Sequence, residues 1–219
     1  MTGGTSTVLT KICGLRDPDN LDAAIKGGAR FVGLVFHPDS PRAVSVNTAA
    51  MLCRKVPAGV KTVGLFVDPS DEELSHIMGR VSLDMIQLHG HETPTRTAEI
   101  KNTYAVPVIK AFPISTAEDL TCIKEFEGIA DWLLLDAKLT DGSYGGGGDV
   151  FDWDILKDYE FSTPWMLAGG LNADNVGGAI AQLAPHAVDV SSGVEIERGQ
   201  KSPEKIRAFL RSVNKASKN

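Results

Sequence analysis

Residues able to move a proton or grip an anion stand at the ends of short apolar runs: Cys13, Asp68, Gln87 with His89, Asp136, and Asp189 with Ser191 and Ser192. His37 and Arg42 follow a further run. Asp136 closes the stretch Trp132-Leu133-Leu134-Leu135, a setting unlike that of a solvated surface charge. A carboxyl group desolvated in this way titrates nearer neutrality and can serve as a general acid. The plain alternative is an ion pair with Lys110 or Lys138. Cys13 follows Lys11-Ile12. A thiol opening onto a cleft can act as base or nucleophile, whereas a packed one is only a small apolar side chain. Cys53 and Cys122 fall within helical patterns and read as structural.

Two glycine-rich turns supply a second kind of chemistry. Gly169, Gly170 and Leu171 follow one apolar run, and Ser191, Ser192 and Gly193 follow the next. Consecutive backbone N–H groups at such turns cradle a phosphate without net positive charge, although the same glycines could serve only to make tight turns. His89 and His91 alternate across a strand end with no third ligand close in sequence, so no metal site is expected and His89 is read as a hydrogen-bonding member of the site. His76 and His186 carry no signal, and the acidic stretch 68–73 reads as a capped, solvated helix start.

These residues need a scaffold that brings them to one place. The apolar runs, rich in β-branched residues, cover 8–13, 31–36, 62–67, 85–88, 106–112, 132–135, 165–168 and 187–190. Helical spacing fills the gaps at 20–26, 48–55, 71–78, 94–102, 117–126, 154–159, 175–183 and 203–213, with capping hydroxyls such as Ser70 and Ser202 at the starts. Strands apolar on both faces belong to a parallel sheet covered by helices. Eight β-then-α units predict one (β/α)8 barrel domain over residues 1–219, whose strand C-termini and following loops form one functional face. An open doubly wound sheet is the rival, but Lys11-Ile12-Cys13-Gly14-Leu15-Arg16 stands where its glycine fingerprint would be.

Composition narrows the function. The 219 residues are 42% hydrophobic and 23% charged, and 22 Lys and Arg against 28 Asp and Glu leave a net charge of −6. That balance argues against nucleic acid or an anionic membrane as partner, so an anionic ligand must be held by local groups. No signal-peptide pattern or stretch of membrane-spanning length occurs, and three cysteines are too few for a disulfide framework, so a cytoplasmic location is expected.

Lys11-Ile12-Cys13-Gly14, Ser40-Pro41-Arg42, Gln87-Leu88-His89-Gly90, Leu135-Asp136, Gly145-Gly146 with Gly148, Phe151-Asp152-Trp153, Gly169-Gly170-Leu171 and 189–195 together make a specific pattern. In these motifs the sequence resembles the phosphoribosylanthranilate isomerase family of tryptophan biosynthesis. The resemblance implies a (β/α)8 barrel that performs an Amadori rearrangement on a phosphorylated small molecule without a cofactor. By the same resemblance Cys13 would be the general base and Asp136 the general acid, and Arg42 would hold the anthranilate carboxylate. Gln87, His89 and Asp189 would contact substrate, Asp189 near the aromatic amine. Gly169, Gly170, Leu171, Ser191, Ser192 and Gly193 would hold the phosphate. The chain departs from the family in the loop expected to cover the substrate, with Gly147 where Ser or Thr is usual and Asp149 where Lys is frequent.

An acid and a base in one encounter need pKa values that approach each other, so burial is expected to raise Asp136 and Lys11 to lower the Cys13 thiol. An indole-glycerol-phosphate synthase would use Lys and Glu at strand ends, leaving Cys13 and Arg42 without a task. A dual-substrate sugar-phosphate isomerase would pair two Asp residues, and a barrel that only binds phosphate would need neither acid nor base. The oligomeric state is left open, leaning to a monomer.

Overall fold

The computed structural model describes residues 7–137 and 152–218. Eight parallel strands close on themselves in chain order: β1 (Leu9–Cys13), β2 (Phe31–Val35), β3 (Lys61–Phe66), β4 (Met85–Leu88), β5 (Val108–Ile114), β6 (Trp132–Ala137), β7 (Trp165–Leu167) and β8 (Ala187–Val190). The ring is completed where β1 pairs with β8, setting Lys11 level with Asp189. Helices α1 (Pro18–Lys26), α2 (Val46–Cys53), α3 (Asp71–Met78), α4 (Pro94–Tyr104), α5 (Val176–Leu183) and α6 (Pro203–Ala216) cover the outside. Ser70 accepts from the Glu73 N–H and Ser202 from the Lys205 N–H, satisfying orphan donors at the two helix starts marked by the sequence.

Two apolar layers follow from the two-residue strand period. Ile12, Val32, Leu34, Ile86, Leu88, Leu133, Leu135, Val188 and Val190 point outward into the layer beneath the helices. Phe31, Val63, Met85, Ile109, Ala111, Leu134, Met166 and Ala187 fill the barrel interior. Continuing the inward parity toward the strand C-termini places Lys11 and Cys13 of β1, Gln87 of β4, Asp136 of β6 and Asp189 of β8 on the inner face. Lys110 lies between Ile109 and Ala111 and has outward parity.

Three elements differ from the sequence expectation. Residues 117–126 and 154–159, read as α-helical, are a 3-10 helix at Ala117–Phe126 and a shorter one at Trp153–Leu156. A small antiparallel hairpin, β9 (Glu195–Glu197) with β10 (Gln200–Lys201), stands after β8 where only a glycine-rich turn had been read. Segments of three and two residues are too short to display a two-residue alternation. The Gly145–Gly148 loop lies outside the described residues.

Candidate active site

A cavity at the C-terminal mouth is lined by Cys13, His37, Arg42, Gln87, His89, Asp136, Asp189 and Ser191, among others. Residues scattered from position 13 to position 191 thus meet as strand parity requires.

On one wall Lys11 Nζ lies 3.0 Å from Asp189 Oδ1, fully buried. A Cβ on Gly33 would come within 3.0 Å of Cys13 Sγ and 3.3 Å of Lys11 Nζ, so glycine on β2 leaves space for this cluster. Burial pushes the Cys13 thiol above its ordinary value, and the opposing pull of Lys11 is the smaller effect. The expected lowering is therefore corrected, because Lys11 neutralises only part of what desolvation costs the thiolate. Burial also raises Asp189 against the pull of Lys11. Desolvation alone would lower Lys11, but Asp189 and Cys13 together hold it above the ordinary lysine value.

On the facing wall His89 Nε2 lies 3.4 Å from Asp136 Oδ2. Gln87 Nε2 is 2.8 Å from His89 Nδ1. With the amide placed this way round, Gln87 donates to Nδ1, which leaves Nε2 as the ring nitrogen that carries the proton. Gln87 Oε1 is buried without a partner among the described residues. Lys110, one of the two cations considered for Asp136, faces the other way and pairs with Glu92 at 3.0 Å. Lys138, the other, lies outside the described residues.

Arg42 reaches the cavity but is not a free fork. Its Nε and Nη2 donate to the two oxygens of Glu195 at 2.7 and 2.9 Å. Burial would raise Glu195, yet Arg42 and Lys201 hold it down at about 2. Glu195 closes the motif 189–195 but carries no role from sequence, and Lys201 carries none, because the segments that flank Arg198-Gly199 are too short to mark strands.

The glycine turns form a small polar recess beside the cavity, lined by Gly169, Gly170, Leu171, Ser191 and Ser192 and bordered by Asp136 and Asp189. Gly169 and Gly170 have φ of +82° and +60°, a region that strains residues with a side chain. Gly193 does not line the recess. A Cβ there would collide with the Leu171 carbonyl, so its part is to let the two turns close-pack. His91 is turned toward Asp68, 3.2 Å from its carboxylate. Asp68 is therefore more than the solvated helix start expected, and it does not line the cavity.

Among the described residues no three His, Cys, Asp or Glu side chains are grouped to hold a metal ion. No described helix is long and apolar enough to cross a membrane.

The family model for N-(5'-phosphoribosyl)anthranilate (PRA) isomerase matches residues 10–212. The N-(5'-phosphoribosyl)anthranilate isomerase of Rhodospirillum centenum is 48% identical over 206 residues, covering 93% of this chain and 96% of that one. The crystal structure of phosphoribosyl anthranilate isomerase from Thermotoga maritima superposes with a TM-score of 0.84 at 35% identity, covering 94% of this chain and 98% of its own. A structure of the isomerase in complex with reduced 1-(o-carboxyphenylamino)-1-deoxyribulose 5-phosphate gives a TM-score of 0.81 at 32% identity, over 94% and 98% of the two chains.

Proposed function

The chain belongs to the N-(5'-phosphoribosyl)anthranilate isomerase family, and from that premise we propose how its barrel mouth performs the reaction. The activity is the conversion of N-(5-phosphoribosyl)anthranilate into 1-(2-carboxyphenylamino)-1-deoxyribulose 5-phosphate, a step of tryptophan biosynthesis. In this reading the whole chain is one catalytic barrel domain working in the cytoplasm as a monomer without a cofactor. Monomeric behaviour is supported by Ile196, at 57% exposure the one large apolar side chain so exposed among the described residues.

The observation that carries the assignment of roles is the placement of Cys13 and Asp136 on two walls of one cavity. Asp136 gives its proton to the ribose ring oxygen as the bond from that oxygen to C1 breaks and the amine lone pair forms an iminium. Cys13, as thiolate, takes the proton from C2, and the electrons released form the C1–C2 double bond and neutralise the iminium. The resulting enolamine becomes the ketone by gaining a proton at C1 and losing one from the C2 hydroxyl, so the isomerisation balances. Arg42 holds the carboxylate, Gln87, His89 and Asp189 line the reacting centre, and the turns at Gly169–Leu171 and Ser191–Gly193 hold the phosphate. Fixing both ends of the substrate turns much of the barrier into orientation.

The test is turnover of N-(5-phosphoribosyl)anthranilate by the wild type and by Cys13→Ser and Asp136→Asn, alongside binding of the reduced product analogue. Turnover should fall by about 10²- to 10⁴-fold in each variant while the analogue still binds. Near-full turnover in Cys13→Ser would make the thiol mere packing.

A further inference from the structure

The carboxylate Glu195 lies between the two regions assigned to the ends of the substrate. It accepts from Arg42 Nε and Nη2 at 2.7 and 2.9 Å, from Lys201 Nζ at 2.6 Å and from the Gly199 N–H at 3.1 Å. Lys201 is buried and directs its remaining donors to the Ser191 carbonyl and hydroxyl, at 2.9 and 3.1 Å. All three of its N–H groups are thereby taken, which leaves none for a ligand. Ser191 lines both the cavity and the glycine-turn recess. Its hydroxyl also approaches the Cys13 carbonyl at 3.3 Å.

Backbone packing supports the same connection. Gly199 at the β9–β10 turn has φ of +85°, and a Cβ there would press into the Pro41 carbonyl. The hairpin is thus seated against the loop that carries Arg42. On the other side Gly14, with φ of +80°, leaves room for the Arg42 stem, since a Cβ would sit 3.0 Å from Cδ. Two cations against one carboxylate leave an excess of one positive charge beside the cavity.

We propose that Glu195 and Lys201 are positioning residues that join the carboxylate grip at Arg42 to the phosphate turn at Ser191, so that the two ends of the substrate are held by one connected unit. The proposal rests on the functional reading above for what the two grips hold. Glu195 aims the guanidinium and anchors Lys201, and Lys201 fixes Ser191. Neither residue touches the reacting atoms.

Charge balance and positioning predict opposite results for Glu195→Gln. Removing the negative charge makes the region more positive, so a merely charge-balancing Glu195 would leave anion binding equal or tighter. A positioning Glu195 gives the reverse, because an amide NH2 in the place of one carboxylate oxygen faces donors, so that either the Arg42 Nη2 and Gly199 N–H or the Arg42 Nε and Lys201 Nζ lose their acceptor, and the two cations, no longer neutralised, repel. The expected result is roughly 10- to 100-fold weaker binding of the reduced product analogue, the range of a lost charged hydrogen bond. KM should rise more than kcat falls. Lys201→Met, a second variant that keeps the Arg42–Glu195 fork, should weaken inorganic phosphate, whereas Arg42→Ala should leave phosphate nearly unchanged.

Titration calorimetry with the analogue and with inorganic phosphate supplies these constants. Nitrogen-15 NMR of the Arg42 Nε–H decides the positioning step without any ligand. The resonance should be protected from solvent exchange in the wild type and lose that protection in Glu195→Gln. A protected Nε–H in the variant overturns the proposal, as does equal or tighter analogue binding or indifference of phosphate to Lys201→Met. A wild type that binds and turns over no substrate, yet shows the Nε–H result, would instead overturn the functional reading.

Discussion

Lys11 and Lys110 are both buried, and each faces a carboxylate at 3.0 Å, Asp189 for the first and Glu92 for the second. They sit on opposite faces of the barrel wall. Lys11 points inward beside Cys13 at the cavity, whereas Lys110 points outward and also donates to the carbonyls of Gly90 at 2.7 Å and Ala111 at 3.1 Å. Glu92 in turn accepts from the Asp68 and Gly90 N–H groups. This second pair ties the turn after β4 to the neighbouring strand and serves as a strut. The first pair shares its lysine with a thiol and thereby acts on chemistry. Burial and ion pairing are the same in both, so neither identifies function; strand parity and the third partner do.

The comparison breaks most visibly at the acid and base. Cys13→Ser and Asp136→Asn should each cost about 10²- to 10⁴-fold in kcat/KM with the melting temperature nearly unchanged, since no buried charge is left unpaired by the first and no Lys or Arg among the described residues pairs with Asp136. A large loss of stability in either would move that residue to the structural side. Lys110→Met should show the opposite signature. Leaving Glu92 buried and unpaired should destabilise by about 3–5 kcal/mol in urea unfolding, with kcat/KM of the folded enzyme little changed. The double variant Lys110→Met with Glu92→Leu should recover much of that loss.

Arg42→Ala should weaken carboxylated ligands by about 1.5–3 kcal/mol and simple ribulose phosphates far less, as measured by parallel titrations. Equal losses would show that the arginine, like Lys110, is a strut. The smallest effect concerns acid. Glu195 titrates at about 2 in the folded protein against an ordinary 4.5. Its folded value is the lower one, so its contribution to stability is complete above about pH 4.5 and is lost as pH falls toward 2. Urea midpoints over that window should fall more steeply in the wild type than in Glu195→Gln, and parallel curves would contradict the assignment.

Much of this was legible in the residues. All eight strands coincide with apolar runs, several of them rich in β-branched residues, and parity along them sends Cys13, Gln87, Asp136 and Asp189 into one mouth. Parity also separates Lys110 from Asp136, an ion pair that sequence had left open. The Arg42–Glu195 pair was not legible, because it joins residues 153 positions apart through a hairpin too short to show a pattern. The direction of the Cys13 shift was missed for a different reason. Lys11 is visible in sequence, but the degree of burial that outweighs it exists only once the barrel closes.

The most direct test of the account is the pH dependence of kcat/KM, with thiol alkylation in parallel, for wild type, Lys11→Met and Lys110→Met. If Lys11 restrains a thiol that burial has raised, removing it raises the thiol further. The Cys13 alkylation midpoint and the matching limb of the rate profile should then both move to higher pH in Lys11→Met, and neither should move in Lys110→Met. A Cys13 midpoint unmoved in Lys11→Met, or moved equally in both variants, would contradict the claim that Cys13 is a base tuned by its buried lysine.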